Sequence, residues 1–289
     1  MNLHHTLFRE AARLDSNGQL APLDTTGLGQ QEKEAWDRAV GYYRRAFAGK
    51  RLLFDEGLIH VNELLATAPD DGGTALPSGL ERDQGEQLAS VADLYRRHWW
   101  PQHDGANRAW VATMQPRIAS TGAAIASELE RLLKAPWPTA PQRIEVAYYV
   151  AEVGGAYTTG QPGLTTLASG RVPDDWSGYE VLFHETAHTM TTPLTSAIDH
   201  ECRAQQKNCA HLWQAKLWHA VQFYTVGEVV RKELARAGVP NYVPYAEKLG
   251  LYRRGGWDAF KPALERAWQP YLDGATTMEK AVSELVRLL

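Results

Sequence analysis

The sequence predicts a predominantly helical α+β protein in which a small sheet leads directly into a helix carrying an HExxH motif. Three observations predict it. Apolar residues recur at spacings of three and four over most of the 289 residues. One interior stretch, residues 143–150, is instead rich in β-branched and aromatic residues. Downstream, His184, Glu185 and His188 stand within a run of uncharged residues.

Residues 1–135 read as an N-terminal helical region, with helices expected around 30–48, 52–66, 84–99 and 107–134. Residues 68–79 interrupt the pattern with Pro, Asp and Gly and are expected as an exposed loop. Pro136-Trp137-Pro138 ends the last of these helices and opens a second region, 136–289, either a separate catalytic region or the continuation of a single domain. Strands are expected at 143–150 and 164–169, with glycine turns at 154–155 and 160–163. Ser177 reads as a helix N-cap, with Glu180 three residues later as its capping-box partner. Further helices are expected near 177–191, 212–237, 242–249, 257–268 and 277–288.

Composition narrows the function classes. A hydrophobic fraction of 44% and a charged fraction of 22% are ordinary for a globular chain, which argues against wholesale disorder. The formal net charge is -4 and the basic residues are scattered, which weighs against nucleic acid or an anionic membrane as the main partner. No segment supplies the roughly 18 consecutive apolar residues of a membrane span. The start, Met1-Asn2-Leu3-His4-His5, lacks the basic-then-apolar pattern of a signal peptide. The expected location is therefore cytoplasmic if the chain is full length, and periplasmic or secreted if a signal peptide has been removed.

The chemistry is carried by Val181-Leu-Phe-His-Glu-Thr-Ala-His-Thr-Met190. Residues four apart on a helix project from one face, so His184 and His188 can ligate one zinc ion. Glu185, beside the first ligand, is placed to take a proton from a water at the metal and pass it to a leaving group. The flanking positions are uncharged, as suits a helix buried beneath a site. The expected activity is a zinc-dependent hydrolase acting on a peptide or protein. The alternatives are a non-catalytic zinc-binding protein and a zinc hydrolase of a non-peptide ester or amide.

With these residues the segment resembles the zincin metallopeptidases. The resemblance is specific over about 50 residues, the two expected strands and the motif helix, and only general elsewhere. It implies a small twisted sheet packed on the active-site helix, His184 and His188 as ligands, and Glu185 as general base. Among the branches of that family, the metzincin pattern fails because Pro193-Leu194 follows the motif, and the peptide deformylase pattern fails because both cysteines come after it.

A catalytic zinc usually takes three protein ligands. The gluzincin, thermolysin-type pattern would take a Glu from a later helix, and Glu228 is the candidate, an acid within the uncharged run 217–230. Gly227 beside it permits close approach to the motif helix. The spacing from the motif is longer than in thermolysin-like enzymes, and Glu201 is the rival. Tyr224 and Arg231 fall near Glu228 as outer partners. Tyr224, Tyr252 and His219 are candidates for the donor that stabilises a developing oxyanion, Tyr224 and Tyr252 the better placed.

Cys202 and Cys209 are the only cysteines. They are expected to form a disulfide, which would indicate an oxidising compartment, or else a second zinc site with His200 and His211, or two free thiols. His4 and His5 are expected as a solvated terminus and His60, His98 and His103 as surface residues. Trp99, Trp100 and Trp110 are expected in the core rather than in a substrate groove.

Overall fold

The computed structural model describes residues 1–14, 21–52, 54–68, 76–139, 142–150, 155–159, 163–254 and 256–289. The expected loop at 68–79 and the turns at 154–155 and 160–163 thus lie partly outside the described residues. The fold is mostly helical with one small sheet, as the periodicity predicts. It divides into two compact units: Met1–Thr113 with Gln142–Pro173, and Met114–Pro141 with Asp174–Leu289. This is not the division expected near residue 135, because the strands belong with the N-terminal helices: Tyr157 lies in their core and its hydroxyl accepts from Asn62 Nδ2 at 2.8 Å.

The first unit contains α1 (Asn2–Leu14), α2 (Gln30–Phe47), α3 (Glu56–Ala66), α4 (Arg82–His98) and the first part of α5 (Trp100–Leu133). Its sheet comprises β1 (Arg143–Ala147), β2 (Ala156–Thr159) and β3 (Leu164–Ala168) in the order β1-β3-β2. β1 runs parallel to β3 with Ile144 opposite Thr165, and β2 runs antiparallel to it with Thr158 opposite Thr165. Every residue of the central β3 is buried, and its Thr165 hydroxyl meets that of Thr158 across the strands at 2.9 Å. β2, which the sequence reading lacks, is only four residues long and sits between glycine-rich segments that read as turns.

The larger departure is α1. Leu7, Phe8 and Ala11 recur at helical spacing, and the face they form carries His4 and His5 inward with them. Both histidines, expected as solvated, are fully buried. His4 Nδ1 meets Tyr43 Oη at 2.8 Å, and His5 Nε2 lies 3.5 Å from Tyr157 Oη. Burial holds both rings neutral, with the pKa of His4 pushed down to about 3 and that of His5 well below its usual value. His103 also departs from expectation: it is buried, bonded to Tyr95 Oη at 2.7 Å and stacked on Tyr148. His60 and His98 are exposed. Trp99 and Trp110 are core residues whose indole N–H groups donate to the carbonyls of Asp24 and Val172, and Trp100 packs half-buried against the core.

The second unit contains the rest of α5, then α6 (Trp176–Ala187), a 3₁₀ turn (His188–Met190), α7 (Thr192–Ala204), α8 (Ala210–Gln214) and α9 (Leu217–Arg236). It continues, among the described residues, with α10 (Tyr245–Lys248), a 3₁₀ turn (Leu251–Arg253), α11 (Phe260–Ala263), a π-helical turn (Leu264–Trp268), α12 (Gln269–Leu272) and α13 (Met278–Leu288). The N-cap of α6 is Asp175, whose carboxylate accepts from Ser177 N at 2.6 Å. Ser177 is thus inside the helix, and Glu180 is free of the capping role expected for it. Between the helices expected to end at 191 and to resume at 212 lies α7, with Pro193 in its first turn, a position that tolerates its missing N–H. A disulfide joins Cys202 to Cys209. With both sulfurs bonded to each other a second zinc site is excluded, and His200 and His211 are exposed. Among the described residues no helix is long and apolar enough to cross a membrane.

Candidate metal centre

The motif helix α6 is buried along its whole length from Ser177 to Ala187. Such a helix has no solvated face, which accounts for the uncharged flanks of the motif. Its main partner is α9, running antiparallel: His219 of α9 meets His184 and His188, while Gly227, two turns later, meets Glu180. Gln222 fixes the register by donating to the carbonyl of His184 at 2.7 Å. A Cβ at position 227 would come within 2.8 Å of Pro244 Cβ and 3.4 Å of Glu180 Oε1. The close approach expected from Gly227 is therefore present. Gly227→Ala should lower stability by about 1–3 kcal/mol, the cost of overpacking, read as a fall in the urea midpoint; an unchanged midpoint would mean that Pro244 yields freely.

His184, His188 and His219 form the one group of potential ligands that converges among the described residues, each offering a nitrogen within 4.8 Å of the others. Their ring centroids make a nearly equilateral triangle with sides of 4.9, 5.1 and 5.0 Å. His184 Nε2 and His219 Nε2 are 3.1 Å apart. Two imidazole nitrogens held tetrahedrally at the usual zinc distance lie about 3.3 Å apart, so the pair is spaced as metal ligands are. Burial lowers the pKa of all three, to about 4 for His188 and about 3 for His219, with nearby Lys216 adding to the effect at both. Neutral imidazoles keep their lone pairs available to a metal at physiological pH. The residues present fit a divalent cation.

His184 is buried, with Phe223 stacked on its ring at 3.7 Å, whereas His188 and His219 are half-buried. Trp218 stacks on His219, and Trp257 meets His219 edge-on at 5.8 Å. The Trp257 indole is held by its N–H, which donates to the carbonyl of Ala215. Apolar rings around imidazole ligands lower the local dielectric and strengthen charge interactions at the centre.

The expected third ligand, Glu228, is elsewhere. His219 and Glu228 are nine residues apart, so they project from opposite sides of α9. Both Glu228 carboxylate oxygens accept from Arg231, at 2.9 and 2.6 Å, in a forked pair. The rival Glu201 lies on α7 beside His200 and accepts from Gln205. Tyr224 donates to Gln269 Oε1 at 2.8 Å, and Tyr252 reaches the cluster only through the ring of Trp257. Among the described residues neither tyrosine hydrogen-bonds to the three histidines, so neither stands as an oxyanion donor in this arrangement. Glu185 is buried on α6 next to His184.

The signal for His219 is present in the sequence. If Gly227 faces the motif helix, its neighbour Glu228 is turned about 100° to one side, while the residues four and eight positions earlier are turned about 40° and 80° to the other. Those residues are Phe223 and His219. Comparison with protein-family models, with curated proteins and with solved structures finds no match to this chain.

Proposed function

We propose that the chain is a metal-dependent hydrolase of the zincin type, with zinc held by His184, His188 and His219, and that it cleaves peptide bonds. The observation that carries the reading is the convergence of the two motif histidines with a third imidazole from α9, beside a buried glutamate at the second motif position. A divalent cation at three imidazoles supplies Lewis-acid polarisation of a carbonyl and lowers the pKa of water. Three protein ligands leave room for one more, which favours catalysis over a closed structural site. A purely structural site has no use for Glu185. In this reading Glu185 accepts the proton of the attacking water and delivers it to the leaving amine as the carbonyl carbon–nitrogen bond breaks. A His third ligand departs from the gluzincin set, so the thermolysin-type variant of the reading is replaced by a three-histidine one. The Cys202–Cys209 disulfide fits an oxidising compartment.

The test is Glu185→Gln, assayed beside wild type on a mixed peptide library with zinc content measured in parallel. The variant should keep its zinc and lose about 10²–10⁴-fold in hydrolysis, the contribution of a general base. Chelation should abolish the wild-type activity and added zinc restore it. Zinc-loaded wild type that cleaves no peptide, but cleaves simple esters, would move the substrate to the non-peptide class. Equal activity in wild type and Glu185→Gln would remove Glu185 from the mechanism.

A further inference from the structure

Glu180 is the one carboxyl on α6 besides Glu185, one turn before His184, and the proposed chemistry does not use it. It is 1% exposed. Its Oε2 accepts from Tyr242 Oη at 2.6 Å and from Tyr245 N at 3.0 Å. Its Oε1 lies buried against the bare Cα of Gly227 and has no hydrogen-bond partner. Both donors come from the segment that follows α9, which also brings Pro244 against Gly227, Tyr245 parallel to the ring of Phe223, and Trp257 against Phe223 and His219. A second tie from this segment, Lys248 to Asp175 and Ser177, is largely exposed and contributes little.

We propose that Glu180 is a positioning residue, whose buried carboxyl clamps the segment after α9 onto the motif helix and so holds Tyr245 and Trp257 against the rings that flank the three-histidine cluster. Burying a carboxyl is costly unless it is bonded, and here one oxygen takes both bonds while the other takes none. A hydrophobic residue would fill the space at lower cost, but it could not satisfy the Tyr245 N–H and the Tyr242 hydroxyl. The clamp is also sensitive to protonation. Burial, with the charges of Glu228 and Glu247 adding to it, raises the Glu180 pKa to about 7, although the two hydrogen bonds oppose the rise. The groups facing it are Tyr242 and Tyr245 from the clamped segment, Glu247 from α10, Glu228 from α9 with its partner Arg231, and the tyrosine Tyr252, whose own pKa the Glu180 charge raises. A carboxyl that holds its proton more tightly when the segment is closed than when it is open favours opening as pH rises through 7.

The significance of the clamp rests on the functional reading of the cluster, but its test needs neither metal nor substrate. Hydrogen exchange is followed by mass spectrometry on the full chain, in peptides covering residues 239–254, for wild type, Glu180→Ala and Glu180→Gln. Glu180→Ala should lose at least about tenfold in protection there, and Glu180→Gln, which keeps an acceptor oxygen, should retain it. After correction for base-catalysed intrinsic exchange, opening in wild type should rise about tenfold between pH 6 and pH 8, by linkage. Glu180→Gln should be flat over the same range. A wild-type profile as flat as that of Glu180→Gln would overturn the proposal, and so would full protection in Glu180→Ala. If Glu180→Ala fails to fold, the pH comparison of wild type with Glu180→Gln still decides. Failure of the hydrolase reading would show instead in metal content and peptide cleavage, which this measurement does not touch.

Discussion

His219→Ala will lose the metal, and Glu228→Ala will keep it. Zinc content after dialysis, and cobalt absorbance on reconstitution, distinguish the two variants directly. Removing one of three imidazoles should weaken binding by more than the roughly 10–100-fold that follows loss of an outer-shell partner. The remaining pair, His184 and His188, has no other converging donor among the described residues. Glu228→Ala removes an ion pair whose Arg231 partner is 40% exposed, so its stability cost should be about 1 kcal/mol or less. The reverse result, metal kept in His219→Ala and lost in Glu228→Ala, would require α9 to turn by half a revolution and would sink the three-histidine centre.

The second large effect is acid instability arising in the first unit. His4 and His5 are buried as neutral rings, and His103, pushed down to about 4 by burial, adds to them. Their folded pKa values lie below the unfolded value near 6.5, so between the two the unfolded chain binds more protons. The stabilising contribution is complete above pH 6.5 and is lost as pH falls toward 3. With a folded value of about 3, His4 alone should withdraw about 2 kcal/mol on going from neutral pH to pH 5. The thermal midpoint should therefore fall steeply between pH 7 and pH 5. In His4→Phe the slope should be shallower, even if the variant starts from a lower midpoint because Tyr43 has lost its partner. A wild-type midpoint that stays level over this range, or a slope unchanged in His4→Phe, would contradict the assignment.

The burial of these histidines is not legible in local sequence. His4 and His5 follow a start methionine with no apolar run before them, and a two-residue polar pair at a terminus reads as solvated. Their burial depends on Tyr43, 39 residues away, and on Tyr157, 152 residues away, which local periodicity does not reach. The local capping pattern points to an N-cap of α6 two residues beyond Asp175 for a similar reason. Ser177 with Glu180 satisfies the local capping pattern, but the Glu180 carboxyl is taken by Tyr242 and Tyr245, more than 60 residues on. No element is expected between 191 and 212, yet α7 forms there, with Pro193 tolerated in its first turn.

What the sequence alone determined is the local part: the helical character of most of the chain, strands within the expected 143–150 and 164–169, the core tryptophans, and the pair His184 and His188 with Glu185 between them. Each follows from a spacing of four residues or fewer, or from side-chain type, and needs no partner from elsewhere. Only the tertiary structure decided the third imidazole, the grouping of the sheet with the N-terminal helices, and the roles of Glu180, Glu228 and His4. Each of these turns on which face of a helix meets another element. On α9 a single residue step rotates a side chain by about 100°, and that rotation separates Gly227, which faces the motif helix, from Glu228, which faces Arg231.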